Sequence, residues 1–452
     1  MTILHAKTAL LPEGWAPDVR VEVADGRIAR VLAGAKPEGQ VVDCLLPAMA
    51  NLHSHAFQRA MAGMTEYRSA GQDSFWTWRT LMYRFLDRLT PEDVQAIAAM
   101  VMLEMAEAGY AAVAEFHYLH HAPGGGAYDD LAEMSARIAA AAAETGLGLT
   151  HLPVLYERGG CDGRTLTSGQ LRFGNDPDRF ARLWQAAGRA MAELPADTVL
   201  GVAPHSLRAA SPEGLTLAAG LNPATPVHIH VAEQVAEVSE VQAATGARPV
   251  EWLLHHADLS SRWCLIHATQ MEPFETEGMA QSGAVAGLCP ITEANLGDGI
   301  FDGVRFQAAG GVYGVGSDSN VRISLSEELR LLEYSQRLAG KGRAMLAREG
   351  RSTGRVLYET ACRGGALAAG RSGGAIAVGQ WADLVALDCG GPDMAASAGD
   401  MILDTFVFAG DDRMVADVWS AGRQIVSGGR HAAREGIIAR YRAATARLRD
   451  AL

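Results

Sequence analysis

Lysine is scarce in this chain: among 452 residues it occurs only at Lys7, Lys36 and Lys341, and arginine carries nearly all of the positive charge. With a net charge of −13, that argues against bulk binding of nucleic acid or anionic membrane. Cysteine is also sparse. Cys44, Cys161, Cys264, Cys289, Cys362 and Cys389 form no C-x-x-C pair. Several sit in apolar runs such as Trp263-Cys-Leu-Ile-His267, where a thiol behaves as a small buried hydrophobe. No disulfide framework is expected, and a reducing cytoplasm is the matching compartment. Residues 1–15 lack a basic stretch followed by an apolar one, so no secretory leader is expected. The longest apolar region, 96–116, is interrupted by Glu104, Glu107 and Gly109, which excludes a membrane span there. What remains, 48% hydrophobic and 20% charged residues, is the balance of an ordinary globular protein with room for two or three domains.

Residues 18–33 alternate polar and apolar around Asp25-Gly26, the pattern of a β-hairpin. Similar alternation returns at 374–388 and 414–425. Strand-rich pieces at both ends predict one small β domain, a sandwich made from residues 1–46 and 372–430. Between them, eight short apolar runs stand at 45–52, 111–117, 148–155, 198–204, 226–232, 262–267, 284–289 and 312–317. Helical patterns separate most of them, among them 91–108, where Thr90-Pro91-Glu92-Asp93 supplies a cap, a first-turn proline and first-turn acids. Eight strand–helix units predict a distorted (β/α)8 TIM-like barrel over 47–371, with a terminal helix over 431–452; a doubly wound sheet is the alternative. Long insertions at 58–90 and 156–176 would fall on the catalytic face of such a barrel.

Histidine and aspartate collect at the ends of these runs. His53 and His55 stand two apart after Leu45–Leu52 and share a strand face. His230 ends the fifth run, His267 the sixth, and Asp318 follows the eighth. Strand ends from distant parts of one chain meet on a barrel rim. Three imidazoles and a carboxylate suit Zn²⁺, or less commonly Fe²⁺, and leave room for a water whose pKa the metal lowers. Other histidines have plainer readings. His228 is expected to be a buried, hydrogen-bonded ring, as are His117, His120 and His121. His255 and His256 fall on a helical stretch.

These motifs resemble the amidohydrolase superfamily in its deaminase branch: H-x-H in Leu46-Pro-Ala-Met-Ala-Asn-Leu-His-Ser-His55, H-x-x-E in His230-Val-Ala-Glu233, His267 and Asp318. The resemblance implies His53, His55, His230 and Asp318 as metal ligands. Many relatives bridge two metals with a lysine; no lysine lies between Lys36 and Lys341, so one metal per chain is expected. Hydrolysis of an amidine C=N bond needs a proton for the leaving nitrogen, and Glu233 is placed to shuttle it as general acid/base. Asp318 can accept the proton of the attacking water, and His267 can orient the nucleophile.

Three further segments, Ser74-Phe-Trp-Thr-Trp-Arg79, Glu115-Phe-His-Tyr118-Leu-His-His121 and Ala203-Pro-His205-Ser-Leu-Arg208, are similar to the N-formimino-L-glutamate iminohydrolases of that superfamily. The resemblance implies hydrolysis of formiminoglutamate to formylglutamate and ammonia in histidine degradation, and substrate contacts from Gln58, Arg79, Tyr118, His205 and Arg208. The residue chemistry agrees, since an acidic protein that holds a dicarboxylate needs local guanidinium groups. Trp76 and Trp78 are expected as wall or packing residues, and Arg172 and Arg322 stay unassigned. A homodimer is implied only because dimers are common in the family. Two rivals are a purine or pterin deaminase with the same metal residues, and a non-catalytic scaffold that has kept the fold.

Overall fold

The computed structural model describes residues 1–66 and 75–450, without the side chains of 75–80 and 168. The chain opens with β1 (Thr2–Leu11), β2 (Gly14–Ala24), β3 (Arg27–Leu32) and β4 (Gln40–Pro47). Asp25-Gly26 makes the turn between β2 and β3, and the positive φ of 76° at Gly26 is one that glycine adopts without a Cβ clash. After one residue the chain enters β5 (Met49–Ser54). The apolar run 45–52 is therefore not one strand: it breaks at Pro47-Ala48, and its halves belong to different sheets.

The middle of the chain contributes β6 (Tyr110–His117), β7 (Gly148–Leu155), β8 (Val199–Leu200), β9 (Ala203–Pro204), β10 (Val227–Val231), β11 (Trp263–His267), β12 (Val285–Leu288) and β13 (Val312–Val315). Helices separate them. The two after β5 are α1 (Phe75–Leu86) and α2 (Pro91–Glu107), the latter capped reciprocally by Thr90 and Asp93. All pairings among these strands are parallel, in one group β5-β6-β7-β8 with β9 also on β7, and another β10-β11-β12-β13. Parallel strands need crossover connections, which the helices supply.

The two groups are bonded to each other at both edges. At one, His55 N–H donates to the Asp318 carbonyl and Asp318 N–H to the His53 carbonyl, each at 2.9 Å. At the other, Val202 N–H donates to Pro226 O and His228 N–H to Val202 O, each at 3.1 Å. Leu52, Ile266 and Val285 pack inside, and each such side chain contributes about 1.5–3 kcal/mol on burial. Glycine is required where β13 ends. A Cβ on Gly316 would stand 2.6 Å from the His53 nitrogen, so only a bare backbone lets that segment lie against the H-x-H strand.

The chain then returns to its beginning. β14 (Leu384–Leu387), β15 (Val415–Ser420), β16 (Arg423–Ser427) and β17 (Arg430–His431) join the first four strands in one eight-stranded sheet, ordered β17-β16-β15-β14-β4-β1-β2-β3. Residues 374–383, expected to be strand, form turns instead, held to the β2–β3 hairpin by Ile28 N–H to Gln380 O and Ala382 N–H to Gly26 O. The helix Arg434–Asp450 follows. Among the described residues no helix is long and apolar enough to cross a membrane, and the six cysteines are free thiols.

A buried ion cluster joins the two regions. Arg371 pairs with Asp383 next to β14 and with Asp197 before β8, while Arg423 on β16 reaches the same Asp197 at 2.8 Å. Removing one partner leaves buried charge uncompensated. Arg371→Met should therefore lower unfolding free energy by about 3–5 kcal/mol, read from urea denaturation. A loss below about 1 kcal/mol, the scale of a surface pair, would show that the cluster does not couple the regions.

Candidate active site

Three strand ends, those of β5, β10 and β13, bring His53, His55, His230 and Asp318 together, with one potential ligand atom from each inside a span of 4.8 Å, all buried. His53 and His55 share a face of β5, as the i, i+2 spacing requires. The His230 Nε2 lies 3.1 Å from His53 Nε2 and 3.3 Å from His55 Nε2. Asp318 Oδ1 stands 3.2 Å from His55 Nε2. The other ring nitrogens decide the tautomers. His55 Nδ1 donates to Phe116 O at 3.0 Å and His230 Nδ1 to His205 O at 3.1 Å. Their Nε2 atoms consequently present lone pairs to one another. Lone pairs at that separation repel, and a cation between them replaces repulsion by coordination. Burial pushes His53 down to about 3 and lowers His55, and holds His230 well below the usual range, so all three rings are neutral, as ligands must be. The donor set fits a divalent metal.

Backbone strain marks the same place. Ala232, His267 and Asp318, each at or just past a strand end, have positive φ values of 50°, 71° and 44°. Such conformations cost about 1–3 kcal/mol each and persist where the surroundings over-determine them. Asn51, Ser317 and Asn320 help to do so: Asn51 donates to Ser317 Oγ at 2.8 Å, Ser317 to Asn320 Oδ1 at 2.6 Å, and Asn320 to Ser54 Oγ at 3.1 Å. Glu115 accepts the Ala56 N–H at 2.7 Å, and burial pushes its carboxyl up to about 8. None of these supporting residues was identified from sequence. Asn51, Glu115, Ser317 and Asn320 stand inside or beside the quoted motifs, and that adjacency was the available signal.

Glu233 and His267 face the cluster. Glu233 Oε1 is 3.7 Å from His267 Nε2, whose Nδ1 is 3.4 Å from Glu293 Oε1. Burial, reinforced by the charges of Asp318 and Glu237, pushes Glu233 up to about 7. Burial opposes protonation of His267, but Glu233, Glu293 and Asp318 outweigh it and hold that ring well above its usual value. Asp318 goes the other way. Burial would raise it, yet the bond from His53 and the charges of His267 and His55 hold it well below the carboxylate range. Glu293, anchored by Cys289 N–H at 2.8 Å, is a further residue that sequence reasoning missed.

A pocket opens onto this group. Gln58, Tyr118, His205 and Arg208 line it, as do Met82 and Tyr83 from the insertion 58–90 and Tyr156 and Phe173 from the insertion 156–176. Gln58 Nε2 donates to the Tyr118 hydroxyl at 2.7 Å, and His205 Nδ1 lies 3.1 Å from Ser206 Oγ. Arg208 is buried, and its Nε has no hydrogen-bond partner among the described residues. Burial disfavours its charge, but Glu237, Tyr156 and Glu233 more than compensate. Arg79 lies on α1, and its side chain, with those of Trp76 and Trp78, falls outside the described residues.

The unassigned arginines sit elsewhere. Arg172 is buried as a strut whose guanidinium donates to the carbonyls of His121 at 2.7 Å and Leu89 at 3.2 Å. Arg322 pairs with Glu327 at the surface. His228 donates to Ala368 O at 2.8 Å, His120 to Val154 O at 3.0 Å, and His121 reaches Gly174 O at 3.0 Å; His255 and His256 are exposed at a helix end. His117 is buried against His120 and His151, and its Nε2 has no partner among the described residues.

Residues 44–425 match the amidohydrolase family, and residues 1–40 match the N-terminal domain of formimidoylglutamate deiminase HutF. The chain is 50% identical over 441 residues to the formimidoylglutamate deiminase of Pseudomonas aeruginosa, covering 96% of this chain and 97% of that protein. A crystal structure of an amidohydrolase from Brucella melitensis superposes with a TM-score of 0.95 at 48% identity, over 99% of this chain and 100% of that one. An adenosine deaminase from Xanthomonas campestris with bound zinc shares the fold, with a TM-score of 0.82 at 21% identity over 99% and 98% of the two chains.

Burial lowers His151 to about 3 and His228 to about 4, and holds His117 and His120 well below their usual value. All four lie outside the four-residue cluster. Each stays neutral when folded but protonates near pH 6.5 when unfolded. Their contribution is complete above about pH 6.5 and is lost as pH falls toward about 4, at about 1.4 kcal/mol per histidine per pH unit. Urea midpoints, with and without metal, should drop steeply from pH 7 to pH 5, and less steeply for His151→Gln. A flat profile would contradict the neutral assignment.

Proposed function

The chain belongs to the amidohydrolase family, and we infer that it hydrolyses N-formimino-L-glutamate to N-formyl-L-glutamate and ammonia, a step of histidine degradation. Its relationship to a formimidoylglutamate deiminase over nearly the whole length carries this reading. The finer architecture that the strand pairings support is a closed (β/α)8 barrel over 47–371. A folded-over β domain from 1–46 and 372–430 and a terminal helix over 431–452 complete it.

One divalent ion, zinc or less commonly iron, fits His53, His55, His230 and Asp318, and when bound it supplies Lewis acidity and an activated water. The chain's own residues do the rest. Asp318, held ionised by its imidazole neighbours, accepts the proton of the attacking water. Glu233, at about 7, populates both protonation states near neutrality. It can therefore take up a proton and deliver it to the nitrogen that leaves as ammonia. His267, steadied by Glu293 on one nitrogen and next to Glu233 on the other, orients the water and screens developing negative charge. Arg208 presents a buried guanidinium for a substrate carboxylate, and Tyr118, Gln58 and His205 complete that wall. Arg79 is assigned to the same task by its segment alone. Met82 and Phe173 add buried apolar surface to the pocket lining.

Ammonia release on formiminoglutamate, compared with guanine and adenosine, tests the assignment. Turnover is expected on formiminoglutamate only, and preference for either ring would overturn it. Glu233→Gln should retain its metal and fold while losing about 10²–10⁴-fold in kcat; near-native turnover would remove Glu233 from the chemistry. Arg208→Met should lose about 10–150-fold in kcat/KM on formiminoglutamate, the worth of one charge-assisted hydrogen bond. The loss should be much smaller on an analogue whose contacted carboxylate is amidated. Equal losses on both substrates would mean Arg208 does not bind a carboxylate.

A further inference from the structure

Asp298 has no part in the chemistry derived above, yet it is one of the most enclosed carboxylates in the protein, at 1% exposure. It follows the short helix Pro290–Leu296, and its backbone N–H is bonded to Glu293 O at 2.9 Å. The Gln234 amide donates to its Oδ1, and the Gln270 amide to its carbonyl. The side chain is therefore held in one orientation. Its second oxygen, Oδ2, is buried and has no hydrogen-bond partner among the described residues. Burying a carboxylate oxygen without a partner is costly, so this atom wants a proton or a cation.

The neighbours say which cation. Asp298, Glu233 and His267 each offer one donor atom, and the three lie within 4.8 Å of one another, all buried. One imidazole nitrogen and two carboxylate oxygens are a zinc-type donor set. Burial first, and then the charges of Glu233, Glu293 and Asp318, push Asp298 up to about 9 against the opposing charge of His267. A third grouping, His267 with Cys289 and Glu293, is also compact. It is the poorer choice, because burial holds the Cys289 thiol well above its usual range and a thiol must ionise to coordinate.

We propose that Asp298, Glu233 and His267 form a second, weaker divalent-cation site beside the His53–His55–His230–Asp318 cluster, and that filling it with zinc inhibits the enzyme. The binding half stands on the three donors and the unpartnered Asp298 oxygen. The inhibitory half rests on the roles proposed for Glu233 and His267. A cation on Glu233 would occupy the carboxylate that carries the proton, and one on the His267 ring would take the lone pair and displace its proton to solvent.

The test uses holoenzyme brought to one zinc per chain by dialysis and then titrated with free Zn²⁺, with bound metal and ammonia release read in parallel. A second equivalent is expected to bind reversibly as turnover falls. Asp298→Asn should keep the first equivalent and its turnover, and should weaken the second by more than about 10–100-fold, the loss seen even for an outer-shell partner. Inhibition should fade with it. Glu233→Gln serves as an independent binding variant, since its second equivalent should weaken in dialysis whatever its activity. Failure of the parent to take a second equivalent at millimolar zinc would overturn the site. So would Asp298→Asn and Glu233→Gln variants that bind it as tightly as the parent. A second equivalent that is lost in both variants, but leaves the parent's turnover untouched, would uphold the site. It would overturn the inhibition, and with it the proposed catalytic roles of Glu233 and His267.

Discussion

Two imidazole nitrogens, on His55 and His230, that face each other beside the His53 ring with their protons turned away are the constraint on which the site depends. His55 and His230 spend their Nδ1 protons on carbonyls of Phe116 and His205. Those carbonyls belong to β6 and to the segment after β9, so the neighbouring strands set the tautomers. The result is mutual repulsion that a divalent cation relieves. A divalent cation placed among these neutral, crowded rings would find its ligands already oriented. Any metal affinity of the cluster would thus follow from its strand geometry. The positive φ values at Ala232, His267 and Asp318 are where the backbone bends to achieve it.

Charge around the cluster is arranged in the opposite sense. Glu233, Glu293, Asp298 and Asp318 surround one ring, His267, inside a protein that is already strongly acidic. Crowded buried carboxylates separate their affinities for protons. Asp318 is driven down while Glu233 is driven up, the separation that the proposed roles of proton acceptor and proton carrier require. Arg208, which lines the same pocket, tempers this field. A substrate with a cationic formimino group at one end and carboxylates at the other matches that polarity.

Much of this was legible in the residues. The eight apolar runs all contain strands, because parallel strands buried on both faces must be nearly continuous in apolar character. His53, His55, His230 and Asp318 converge as their strand-end positions implied, and Glu233, His267, Gln58, Tyr118, His205 and Arg208 line the same pocket. What was not legible depends on three-dimensional neighbours. The break at Pro47-Ala48 hands one apolar run to two sheets, and no period records a change of sheet. β1 (Thr2–Leu11) was missed because it is central in its sheet and carries apolar residues in pairs rather than in alternation. Glu293 and Asp298 belong to none of the quoted motifs; only the fold carries them to His267.

X-ray absorption at the zinc edge, on protein carrying one equivalent of zinc, tests the central claim most directly. The account predicts a first shell of nitrogen and oxygen at about 2.0–2.1 Å with the outer scattering of three imidazoles and no sulfur. A sulfur shell at about 2.3 Å, or the signature of fewer than three imidazoles, would place the tight metal elsewhere and contradict it.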